Sequence, residues 1–131
     1  MTDIKNINDI KILLDTFYTK VLKDEVIGYI FTDIAKLNVE KHMPILYAFW
    51  DSVIFGTANY KGNAMLTHIE LNKKEALTDA HFDRWQMLYF ETVDELFVGE
   101  KANLAKDRVK AMRFLMQMKI ENSNNPNFIQ S

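Results

Sequence analysis

The chain contains no cysteine. Disulfides, zinc–thiolate centres, iron–sulfur clusters, thiol nucleophiles and covalent C-x-x-C-H haem attachment are therefore all excluded. Charge of one sign is lacking too: 16 Lys and Arg stand against 18 Asp and Glu, for a net charge of −2. The basic residues are spread along the chain, so no nucleic-acid partner is expected. No apolar run approaches ~18 residues, so no membrane span is expected. The opening Met1-Thr2-Asp3-Ile4-Lys5 has no secretory pattern, and a cytoplasmic protein is the expectation. No stretch alternates with period two, no hairpin signal appears and no internal repeat is present. An all-α fold follows.

What is present is apolar and helical in spacing. The 131 residues suit one domain, expected over residues 1–121, with a flexible polar tail over 122–131. Aromatic residues reach 12 %, which suits either a dense core or the lining for a flat aromatic ligand. The spacing predicts a first helix from Asp9 to Lys23, capped by Asn6 or Asn8, with Ile10, Leu13, Leu14, Phe17, Tyr18 and Val21 on one face. Residues 24–37 read as one or two short helices. Asn38 offers a cap to a helix over Val39–Phe55, in which Pro44 predicts either a regular start near Met43 or a kinked first turn. His42 then lies on a less rigid stretch than Trp50. A loop over Gly56–Gly62 precedes a short helix over Asn63–Leu71, then a polar connection from Asn72 to Leu77. Thr78 caps a long helix to about Phe97, with Phe82, Trp85, Tyr89, Val93 and Leu96 inward. Gly99 reads as a helix stop. The last helix spans Lys101 to Ile120 and buries Ala105, Val109, Met112 and Met116.

Four residues in these apolar surroundings could carry chemistry. They are Tyr18, His42, His68 and Trp85. A lone histidine is usually structural or exposed, and Tyr18 and Trp85 also read as packing residues whose hydroxyl and N–H reach a local acceptor. The alternative is an imidazole that binds iron and three donors that face it across a ligand, the minimum for a gas-binding haem site.

Several words in order carry a resemblance. They are Phe17-Tyr18-Thr19-Lys20-Val21, Ile27-Gly28-Tyr29-Ile30-Phe31, His42-Met43-Pro44 with Phe49-Trp50, Tyr60-Lys61-Gly62-Asn63, Leu66-Thr67-His68, and His81-Phe82-Asp83-Arg84-Trp85 continuing to Phe97. Each is weak alone. Together, over residues 4–120, the chain resembles the group III truncated haemoglobins, the short two-over-two bacterial globins.

The resemblance implies a truncated two-over-two globin-like helical sandwich holding non-covalent haem b. It assigns His68 as the proximal iron ligand and Tyr18 and Trp85 as distal donors to bound gas. His42 becomes a distal histidine that swings as a gate; the helix start softened by Pro44 adds the expectation that it binds iron when gas is absent. Phe31, Leu46 and Phe82 become lining residues, with Tyr60, His81 and Arg84 near the propionates. The implied ligands are O2, NO, CO or cyanide, with O2 held tightly for scavenging or for NO or peroxide detoxification. NO dioxygenase or peroxidase-like turnover would need a separate reductase, since no flavin or nicotinamide motif is present. A monomer or weak dimer is expected. The competing class is a haem-free helical interaction module.

Overall fold

The structure is a computed structural model that describes residues 1–58, 62, 71–72 and 74–123. Four long helices make the frame: α1 (Ile7–Leu22), α2 (Val39–Phe55), α3 (Asp79–Leu96) and α4 (Glu100–Ser123). The all-α expectation holds: among the described residues the only strand-like pairing is an isolated bridge between Thr2 and Phe97. Helix α1 packs on α2 and α3, and α4 packs on α3 and α2.

Each start has a local cause. The Asn6 side chain accepts from the backbone N–H groups of Asn8 and Asp9, at 3.0 and 3.2 Å, so α1 begins at Ile7, before the expected Asp9. Asn38 accepts from the Lys41 N–H at 3.2 Å. Helix α2 runs from Val39 to Phe55 with Pro44 inside it. The His42 N–H already bonds the Asn38 carbonyl at 2.9 Å. A regular start at Met43 is thereby corrected: the cap holds the first turn ahead of the proline, and His42 sits within the helix.

Gly99 also has a different task from the one expected. Phe97 ends α3, and the Gly99 carbonyl accepts the Asn103 N–H at 3.0 Å, opening α4. The first turn of α4 is capped from far away in sequence. Asp3 accepts from the N–H groups of Lys101 and Ala102, both at 2.8 Å. At Gly99 φ is +141°, and a Cβ there would lie 2.6 Å from the Asp3 carboxylate carbon. Close approach and backbone sign both require glycine. At the far end α4 continues to Ser123, past the expected Ile120.

The core gathers the predicted stripes. Ile10, Leu13, Leu14, Phe17 and Val21 of α1 meet Leu88, Tyr89 and Val93 of α3, and Ala105 and Val109 of α4. Fully burying a side chain of this size contributes roughly 1.5–3 kcal/mol. Between α1 and α2, residues Ile30–Ile34 form a π-helical turn, with the Ala35 N–H bonded to the Ile30 carbonyl at 2.8 Å. Such turns are frequent at functional sites. Leu71 and Asn72 are helical, and the Glu75 N–H bonds the Leu71 carbonyl at 3.0 Å, so a helical turn enters the stretch expected as a connection.

Candidate functional site

Where the four helices leave the core there is a cavity of about 330 Å³. That volume falls at the lower end of small-molecule sites, which run to roughly 300–1,000 Å³. The walls are mostly apolar, and Tyr18 of α1, His42 of α2 and Trp85 of α3 are among the residues that line them. Phe31, from the π-helical turn, Leu46 of α2 and Phe82 of α3 supply apolar wall. His81, at the start of α3, also lines it. Two predicted residues, His68 and Tyr60, lie outside the described residues.

Tyr18 is held by rings on three sides. Its centroid lies 5.2 Å from Phe17, 6.0 Å from Phe31 and 6.2 Å from His42, edge to face in each case. Burial pushes its phenol far above the ordinary value, so the hydroxyl stays protonated and can donate. Tyr18 also walls a second hollow of about 210 Å³ between α1 and the start of α2, with Met43 and Val39 opposite. The tyrosine therefore separates two spaces.

His81 is fixed by its helix start. The Thr78 hydroxyl accepts the His81 N–H at 3.3 Å, and His81 Nδ1 accepts the Thr78 N–H at 3.1 Å, a reciprocal capping box. An acceptor at Nδ1 leaves the proton of the neutral ring on Nε2, which then donates to the Tyr29 hydroxyl, 3.3 Å away. One ring thereby caps α3 and ties it to the segment before the π-helical turn.

Arg84 is not brought to the cavity. Its Nε and Nη2 bond Asp24 Oδ1 at 2.8 and 2.7 Å. Asp24 Oδ2 accepts the N–H groups of Val26 and Ile27, at 3.0 and 3.1 Å. Burial alone would raise the Asp24 carboxyl, but these four hydrogen bonds and the guanidinium charge outweigh it and hold the group below its ordinary value. The pair clamps α3 to the turn after α1. Any contact of Arg84 with a ligand is left to the N–H groups Asp24 does not use.

Tyr89 was not singled out in the sequence beyond its place on the α3 stripe. It lies one helical turn after Trp85 and lines the same cavity. Trp50 stacks on its ring at 5.0 Å and Phe17 meets it edge-on at 5.1 Å. The side chain is fully buried, and its hydroxyl is the one buried side-chain polar atom without a hydrogen bond among the described residues. The four-residue step from Trp85 was the available signal.

No protein-family model matches the chain. A curated relative, group 3 truncated hemoglobin ctb of Campylobacter jejuni, is 26 % identical over 101 residues, covering 75 % of this chain and 77 % of the relative. The crystal structure of a group III truncated hemoglobin from Campylobacter jejuni superposes with a TM-score of 0.79 at 23 % identity, over 92 % of this chain and 95 % of the other. The helices thus take up a truncated-globin fold. In sequence and in fold, the chain is similar to the group III truncated haemoglobins, the family that its sequence words resemble.

Proposed function

We propose that this protein binds non-covalent haem b in the 330 Å³ cavity and takes up diatomic gases there. The single observation that carries the reading is the convergence of Tyr18, His42 and Trp85, from three helices, on one mostly apolar pocket. The lining fits the group. A flat macrocycle needs apolar and aromatic walls, and Phe31, Leu46, Phe82, Met112 and Met116 are of that kind. His68 would hold the iron, with Tyr60 and His81 beside the propionates. Bound there, haem supplies an iron that reversibly takes O2, NO, CO or cyanide.

The chain's own residues set the strength of that binding. The Tyr18 hydroxyl and the Trp85 indole N–H donate to a ligand that takes on negative charge. Hydrogen bonds to a charged acceptor contribute roughly 1.5–3 kcal/mol each. Two donors on one acceptor do not add in full. His42 packs on the Tyr18 ring, where it gates access and steers that hydroxyl. The mostly apolar walls lower the local dielectric, which strengthens each hydrogen bond. The outcome is tight O2 binding suited to scavenging or to NO or peroxide detoxification. Turnover of either kind draws electrons from a separate reductase.

Absorption spectra of the purified protein supplied with haem test this, in ferric, ferrous and ferrous-plus-CO forms, for wild type beside His68→Ala. Stoichiometric uptake, with an intense CO band lost or weakened in the variant, is expected. No uptake would leave a haem-free helical interaction module.

A further inference from the structure

A buried phenol without a hydrogen bond is costly. Water satisfies both the donor and the acceptor of a hydroxyl, and removal from water without replacement forfeits both. Tyr89 is in that position: its side chain is fully buried and its hydroxyl has no partner among the described residues. The ring cannot turn away to find one, because Trp50 covers one face at 5.0 Å and Phe17 meets it at 5.1 Å. Phenylalanine would fill the same space without the penalty. Tyr89 is also among the residues that line the cavity, with Tyr18 and Trp85.

We propose that the Tyr89 hydroxyl is a third hydrogen-bonding contact for the diatomic ligand of this cavity, approaching it from the fully buried side. The inference rests on the haem reading above, and it adds a residue which that reading leaves out. Tyr18 and Trp85 then hold the ligand together with a donor that solvent does not reach. Burial, with a further contribution from the neighbouring Tyr18, keeps the Tyr89 phenol protonated far into alkaline pH, so it serves as a donor throughout.

Tyr89→Phe removes the oxygen and keeps the ring stack. Three measurements on the haem-loaded protein separate the outcomes. Haem uptake is read first, by absorption, in wild type and variant. The O2 dissociation rate is then measured by stopped flow, and the C–O stretch of the ferrous CO form by infrared spectroscopy. A hydrogen bond to a ligand that takes on negative charge predicts dissociation up to roughly ten- to a hundredfold faster in the variant, and less where the donors share one acceptor. The C–O stretch is expected to rise, because a donor near the oxygen lowers it. A purely structural hydroxyl would change only the melting temperature. Unchanged rate and stretch with normal uptake overturn the assignment of Tyr89 and leave the haem reading intact, including the case in which a buried water is the partner. Absence of uptake in wild type overturns both.

Discussion

Tyr18 and His42 meet edge to face across the α1–α2 contact, with ring centroids 6.2 Å apart and planes at 73°. The proposed donor and its proposed gate are therefore one packed pair. Aromatic pairs of this geometry contribute roughly 0.5–1.5 kcal/mol beyond the area they bury.

Tyr18→Phe keeps that packing and removes only the hydroxyl. In the haem-loaded protein the O2 dissociation rate should rise roughly ten- to a hundredfold, the range for one hydrogen bond to a charged acceptor. His42→Ala should raise it less, because it acts through the orientation of Tyr18. Stopped-flow displacement of O2 by CO measures both. An unchanged rate in Tyr18→Phe would count against the proposed donor.

Asp24 links acid stability to the α3 clamp. Its folded-state value lies below the ordinary 3.8. The unfolded chain therefore binds the proton first as pH falls. The stabilisation is complete above about pH 5 and is lost as pH drops through the folded value. Asp24→Asn should lower the melting temperature at pH 7 and flatten its fall between pH 5 and 3. Arg84→Met leaves the Asp24 carboxylate, 3 % exposed, without its cation. Because the guanidinium side of the pair is reached by solvent, a modest loss of stability is expected at pH 7. Chemical denaturation across pH checks both variants.

The tyrosines should titrate in separate groups. Burial and the hydrogen bond to Asp15, with that carboxylate's charge, push Tyr47 up to about 12. For a phenol a raised folded value favours the neutral form. The stabilisation is thus present below pH 10 and is lost as pH rises through about 12. Tyr18 and Tyr89 stand higher still through burial. Phenolate absorbance near 295 nm should show Tyr47 ionising late, with Tyr18 and Tyr89 appearing only on unfolding. Tyr47→Phe removes the step near 12.

Thr78→Ala breaks the capping box that holds His81. A loss of about 1 kcal/mol is expected from denaturant unfolding, the usual cost of a removed N-cap. The same change removes the acceptor of the His81 backbone N–H and keeps the backbone N–H that donates to His81 Nδ1, so the His81 amide NMR signal should shift while the imidazole signals move little.

Much of the architecture was legible because helical patterning is local. The Asn38 cap and the Val39–Phe55 span needed only the cap, the stripe and the following Gly56. The pairing of Arg84 with Asp24 crosses 60 positions, and no sequence period carries it. The cap of α4 by Asp3 crosses 98. The π-helical turn at Ile30–Ile34 was hidden for a related reason: its spacing suits short helices of any kind, and packing selects the wider turn.

The candidate site divides along the same line. Residue type and spacing alone placed Tyr18 and Trp85 on inward stripes and gave the order of words that resembles a family. Whether those stripes face one space depends on how α1, α2 and α3 cross, and crossing is a property of packed side chains rather than of any one helix. The cavity, the separation of two hollows by Tyr18 and the lone hydroxyl of Tyr89 exist only once the helices are assembled. Periodicity reports which face of a helix is apolar. Only the tertiary contacts decide which polar atoms on that face find a partner and which are left for a ligand.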